Sequence, residues 1–153
     1  AEAYCYTIYW HARRMVIVHE DAQDVLQETF IRIVRGLKSF KWESKLSSWI
    51  YRIATNECLR LLDNNSRRLQ TQSINDITQI ISSSDYVDLG DNAAIKLQAA
   101  LQQLPRKQQL SFTLRYYDDL SYEEIAEIID STPSSAKMNY HHAKERLMEL
   151  LAE

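Results

Sequence analysis

The chain has 153 residues, 45% apolar and 25% charged, with a formal net charge of −3, a size that suits one ordinary domain or two small ones. Only two Gly and two Pro occur and β-branched runs are scarce, which leaves little material for strands, hairpins or glycine-rich phosphate loops. The composition therefore predicts an all-α protein, and no apolar run approaches the roughly 20 residues needed to span a bilayer.

The chain starts inside a Tyr-rich helical pattern and shows no signal peptide, which reads as a native N-terminus lying further upstream. Cys5 and Cys58 form no CxxC pair and are expected as small core residues in a reducing cytoplasm, not as a disulfide or zinc ligands. His141 and His142 are adjacent, so on a helix they point about 100° apart and cannot grip one metal from one face. With His11 and His19 remote, no metal site is expected. No nucleophile–base pair, metal cluster or phosphate loop supports an enzyme, and no cofactor is expected.

A first helical module is predicted for residues 1–63. Val25, Leu26, Phe30, Ile33, Val34 and Leu37 recur at helical spacing, with Gln27, Glu28, Arg32 and Arg35 elsewhere around the helix. A polar break, Lys38 to Ser48, contains Phe40 and Trp42. Ser47 or Ser48 can cap the next helix, in which Trp49, Ile50, Ile53, Ala54 and Leu61 face inward. Residues 64–91 change to Asn, Ser, Gln, Thr and Asp and read as a flexible linker, with room for a short helix near Ile74–Ile81.

The second module covers residues 92–153. Leu97, Ala100, Leu101 and Leu104 share one helix, and Pro105 starts the next, carrying Leu110, Phe112 and Leu114. Ile125, Ala126, Ile128 and Ile129 then give a short helix an apolar face with a small residue at its centre. Thr132 suits an N-cap and Pro133 the first helical position of another helix. Lys137, Asn139, His141, His142 and Lys144 make that last helix a plausible groove reader, the alternative being an ordinary helical hairpin. The acidic balance argues against nucleic acid, but residues 131–148 hold Lys137, Lys144 and Arg146 against Glu145 alone. Weak DNA affinity is expected of the chain alone, with a larger assembly supplying the rest.

Four motifs in order carry a family resemblance. Asp21-Ala22-Gln23-Asp24-Val25-Leu26-Gln27-Glu28-Thr29-Phe30 resembles an acidic "DAEDLVQEVF" pattern, and Phe40 with Trp49-Ile50-Tyr51-Arg52-Ile53-Ala54-Thr55-Asn56 resembles "F…WLYRIAxN". Leu104-Pro105 and Leu120-Ser121-Tyr122-Glu123-Glu124-Ile125-Ala126 resemble "LP" and "LSYEEIA". Nearly the whole chain resembles an extracytoplasmic-function sigma factor of the bacterial sigma-70 family. The family implies two helical domains, region 2 and region 4, joined by a linker. The segment Ser134 to Lys144 departs from the family's "GTVKSRLHRAR", with Asn139 and His142 where arginines are common, so promoter preference does not carry over.

The resemblance implies a bacterial, cytoplasmic transcription initiation factor that binds core RNA polymerase, recognises two promoter elements and promotes DNA melting. Asp21, Asp24, Gln27 and Glu28 would dock on the β′ clamp helices, with the β flap as a further contact. Lys41, Trp42, Ser44, Lys45, Arg52, Asn56 and Arg60 would read the minus-10 element as single-stranded DNA. Aromatic and apolar surfaces suit unstacked bases, and cations, Arg67 and Arg68 among them, suit the backbone. Trp49 and Tyr51 are candidates for a wedge at the melting fork, with core packing the alternative for Trp49. Arg115, Tyr122, Ser135, Lys137, Met138, Asn139, His141, His142 and Lys144 would engage the minus-35 element. There Asn can read adenine, Lys guanine, and Met a thymine methyl. An anti-sigma factor is an expected partner. The rival reading is a stand-alone helix-turn-helix regulator that binds duplex DNA as a dimer without polymerase.

Overall fold

The computed structural model describes residues 2–65 and 92–152, and all regular structure among them is helical. The helices are α1 (Glu2–Val16), α2 (His19–Gly36), α3 (Leu46–Asn65), α4 (Asn92–Leu101), α5 (Arg106–Tyr116), α6 (Tyr122–Ile129) and α7 (Pro133–Ala152), with a single 3-10 turn at Leu37–Ser39. The all-α expectation holds. The expected helix near Ile74–Ile81, and Arg67 and Arg68, lie outside the described residues.

In α1, the buried residues Ile8, His11, Ala12, Met15 and Val16 fall at helical spacing and turn one stripe inward. The helix ends where Ile17 takes a left-handed φ of 71°, an unusual conformation for a β-branched residue. Burial of Ile17 and a 2.6 Å hydrogen bond from Arg13 Nε to its carbonyl hold that turn. Antiparallel α2 then closes over α1 and α3, burying Ala22, Val25 and Thr29. Val34 and Leu37, expected inward, are 73% and 44% exposed. Helix α2 and the turn after it outrun the neighbours that could cover them. Helix α3 begins at Leu46, so Ser47 and Ser48 lie inside its first turn and do not cap it; Leu46 packs with Ile8, Ile50 and Ala54 instead. Cys58 is buried as expected, and its thiol is pushed up to about 12, first by burial; Cys5 is only half-buried.

In the second module α5 is nearly enclosed, burying six consecutive residues from Gln109 to Leu114. Its main neighbour is α7, which contributes Ala143, Leu147 and Leu150 to a core with Ala100, Leu101, Leu104 and Phe112. Leu104 is fully buried but lies in the turn after α4, because the chain must reverse before Pro105.

The two modules pack against each other. Leu110 of α5 enters the cluster of Ala12, Met15, Val16, Val25 and Cys58, and Tyr51 of α3 enters that of Leu114, Ile125, Ile128 and Ala136. A polar junction surrounds these contacts. Arg14 approaches Asp118 at 3.6 Å and lies 4.4 Å from the Tyr117 ring centre, while Gln102 Nε2 donates to the Arg14 carbonyl at 3.1 Å. The Asp118 carboxyl is shifted upward, first by burial, and the Tyr51 hydroxyl beside it is raised well beyond its ordinary value.

His11 sits beneath this junction, fully buried, with Nε2 2.9 Å from Thr55 Oγ1 and its ring edge-on to Tyr51. Burial, and secondarily Arg14, lowers its pKa from 6.5 to about 3. The folded value is depressed, so below about pH 6.5 the unfolded chain takes up the proton first. The contribution to stability is complete above that pH and is lost as pH falls towards 3. The expected slope is about 1.4 kcal/mol per pH unit in that window. Denaturant midpoints between about pH 7 and about pH 5 should fall less in His11→Gln than in the parent; equal slopes would contradict the assignment.

Candidate polymerase and promoter interfaces

The acidic residues of α2 share one surface. Asp21, Asp24, Gln27 and Glu28 line an open groove of about 730 Å³ together with Ile31 and Arg60. Gln27 and Asp24 are exposed, and partial burial followed by the Asp24 and Glu20 charges raises the Asp21 pKa. The groove's inner wall is Glu57, only 7% exposed. Its carboxylate takes Arg32 Nε of α2 at 2.5 Å and pairs with Arg60 one turn along α3. A buried carboxylate needs such partners, and these pin α2 to α3. No local pattern marks Glu57, because Arg32 reaches it only through the packing of two helices. Arg60, exposed one turn beyond Asn56 on α3, also lines this acidic groove.

The segment after α2 is shaped by aromatic packing. A side chain at Gly36 would meet the Trp49 ring at 3.0 Å, so the indole takes the space that glycine leaves. Phe40 lies 4.9 Å from Trp49 and 4.8 Å from Trp42, centre to centre. Trp49 is half-buried against Ile8, Ile50 and Ala54, and Tyr51 is buried against the second module. Trp42 does have a packing partner in Phe40, yet a left-handed φ of 58° keeps its ring 68% exposed. Lys41, Ser44 and Lys45 are exposed beside it, and Arg52 and Asn56 are exposed one turn apart on α3.

The helix-turn-helix is built as a tight unit. Ser121 caps α6 through a reciprocal box with Glu124, a signal legible in Ser121-Tyr122-Glu123-Glu124 but not read there. Asp130 adopts a left-handed φ of 56° and ends the helix, and Thr132 Oγ1 accepts from the Ser135 amide at 3.1 Å to start α7. Ile125 and Ile128 pack against Ala136 of α7, and Ala126 is 5% exposed. Ala136, Ala143, Leu147 and Leu150 turn inward, leaving Lys137, Met138, His141, His142 and Lys144 exposed. Asn139 donates to Ser135 Oγ at 3.5 Å, so these two form one half-buried pair on that helix. Arg115 is already engaged within the fold. Its guanidinium donates to the Leu120 carbonyl at 2.9 Å and lies 4.8 Å from the Tyr122 ring centre.

Comparison with known proteins fits this layout. The Sigma-70 region 2 model matches residues 1–68, and the Sigma-70 region 4 model matches residues 94–147. The ECF RNA polymerase sigma-E factor of Escherichia coli strain K12 is 31% identical over 137 residues, covering 83% of this chain and 72% of that protein. The chain belongs to the extracytoplasmic-function sigma factors of the sigma-70 family. The RNA polymerase sigma-H factor of Pseudomonas aeruginosa is 29% identical over 148 residues, covering 90% of this chain and 77% of its own length. Among solved structures, the sigma factor RpoE of Bartonella quintana, in complex with the anti-sigma factor NepR, superposes with a TM-score of 0.72. It is 23% identical, with 98% of this chain and 92% of that one covered. CnrH in complex with the cytosolic domain of CnrY gives a TM-score of 0.70 at 20% identity, covering 95% and 80%.

The chain is thus an RNA polymerase sigma factor for promoter recognition. The region 2 match accounts for the first module, which a stand-alone helix-turn-helix regulator would not need. Among the described residues no helix is long and apolar enough to cross a membrane, and no cluster of metal-binding side chains occurs.

Proposed function

We propose that this sigma factor acts as two promoter-reading modules, residues 1–63 and 92–153, joined by the linker 64–91 and positioned by core polymerase. Asp21, Asp24, Gln27 and Glu28 dock on the β′ clamp helices, where carboxylate and amide oxygens accept from basic side chains and set orientation. The second module meets the β flap. Lys41, Trp42, Ser44, Lys45, Arg52 and Asn56 take the melted minus-10 strand, with Trp42 as a stacking surface and Arg60 at the edge shared with the docking groove. Ser135, Lys137, Met138, Asn139, His141, His142 and Lys144 enter the major groove at the minus-35 element, with Arg115 and Tyr122 behind them. The factor works without cofactor or catalysis, in the bacterial cytoplasm. An anti-sigma factor, like the one bound to the Bartonella quintana relative, restrains it.

The observation that carries this reading is the joint presence of two exposed sets in one chain. One is an aromatic-and-lysine loop before α3; the other is a polar helix face on α7, whose Ala136 packs against Ile125 and Ile128 of α6. Footprinting of the assembled holoenzyme tests it, with protection expected in two blocks on the promoter. A single block would overturn it. Lys137→Ala should weaken holoenzyme binding by about 1–3 kcal/mol and change base preference only in the upstream block. An unaltered footprint and affinity there would remove Lys137 from the reading set.

A further inference from the structure

Glu57 is a buried carboxylate that opens on the acidic groove of α2 and already carries two guanidiniums. Each takes a different oxygen: Arg32 Nε lies 2.5 Å from Oε1, and Arg60 Nη2 pairs with Oε2. The two arginines are held unequally. Arg32 sits between Glu57 and Glu28, which it meets at 3.4 Å, and so ties α2 to α3. Arg60 is exposed and lies three residues from Glu57 on the same helix, its one carboxylate partner among the described residues. A pair of this kind is weak and easily exchanged.

The helix gives Arg60 a second place to go. Arg52, Asn56 and Arg60 recur every four residues and are all exposed, so they form one row along α3. The first two belong to the set assigned to the minus-10 strand, whereas the Arg60 guanidinium is drawn aside to Glu57. The groove itself is short of cations. Asp21, Asp24, Glu28 and Glu57 line it against Arg60 alone, with Ile31 and Leu61 as apolar walls. An incoming guanidinium would meet there a carboxylate that it can grip with two parallel N–H bonds, a stronger arrangement than the single contact of Arg60. Each carboxylate oxygen has room for a further donor, so Arg32 need not leave.

We propose that Glu57 seats a guanidinium of core polymerase in place of Arg60, and that the displaced Arg60 joins Arg52 and Asn56 on the phosphates of the minus-10 strand. This rests on the docking of the α2 face on polymerase. Arg32 keeps α2 and α3 pinned while the exchange occurs. One carboxylate then couples docking to promoter capture within the first module.

The test titrates core enzyme with variants of the full chain, then promoter DNA with the resulting holoenzymes. Arg60→Gln removes the competitor and should bind core about fivefold more tightly; Glu57→Gln removes the seat and should bind about tenfold more weakly. Lys96→Gln, the same charge change as Arg60→Gln at an exposed residue of α4, should stay within about twofold of the parent. In the double variant of Glu57 and Arg60 the gain from Arg60→Gln should vanish, because nothing is left to compete for. The Arg60→Gln holoenzyme should lose about 0.7 from the slope of log affinity against log salt on promoter DNA, the share of one phosphate contact on a single strand. No gain or a loss of core affinity in Arg60→Gln, or a gain that survives in the double variant, would overturn the exchange. An unaltered salt slope would overturn the transfer of Arg60 to the phosphates. Should Glu57→Gln unfold, Arg60→Gln still decides, since it leaves Glu57 paired with Arg32. Alanine at Gln27 and Glu28 separates the two claims. If that pair weakens core binding and Arg60→Gln does not strengthen it, the exchange fails alone; if neither alters it, the docking assignment itself fails.

Discussion

Leu114→Ala is expected to lower the unfolding free energy by about 2–5 kcal/mol. Leu114 is fully buried on α5, in the cluster that brings together Ile125, Ile128 and Ala136 of the helix-turn-helix and Tyr51 of the first module. Truncation removes apolar contact from both modules at once, and the α-helices around the site cannot collapse to refill the space. At about 2–4 °C per kcal/mol, the melting temperature should drop by several degrees or more. Leu151→Ala, at a residue 44% exposed, should cost well under half as much. Comparable losses at the two positions in urea titrations would show that α5 is not the shared spine of the fold.

Replacing Gln27 and Glu28 together by alanine should weaken binding to core polymerase by about 2–5 kcal/mol, or roughly 30-fold and more. The two side chains line one groove on α2, and among the described residues Glu28 makes a surface pair with Arg32 at 3.4 Å. Such a pair contributes under about 1 kcal/mol, so the melting temperature should hardly change. The same double substitution should leave duplex binding by α7 untouched. Unchanged affinity in a titration with labelled core enzyme would move the docking surface elsewhere. Exposed Ile31 and Val34, lying further along the same helix, would then be the first alternatives.

The sequence revealed those parts of the fold that depend on local pattern. Helical periodicity placed Val25, Ile50 and Ala54 inside, and Thr132-Pro133 marked the start of α7, because caps and amphipathic stripes are written within a few residues. The four motifs identified the family for the same reason. Contacts that join distant segments were not legible. Nothing local to Leu110, Tyr51 or Asp118 shows that they cross between modules, because each apolar stripe reads as satisfied within its own half. Val34 and Leu37 failed in the opposite sense: a correct helical stripe can outrun its partner. Among the site residues, Arg60 was placed by charge alone, and its position is decided by Glu57, a buried carboxylate that no spacing rule marks. Trp42 packs on Phe40, a contact its polar loop does not announce, and the residue nonetheless stays exposed.

In the proposed mode of action, two modules of one chain read two promoter elements through polymerase. Run-off transcription with purified core enzyme, on a template carrying both elements, tests it most directly. A transcript from one defined start, abolished by removing either element and absent with core enzyme alone, is the predicted result. Absence of any specific transcript, together with polymerase-independent dimeric binding to duplex DNA, would contradict it.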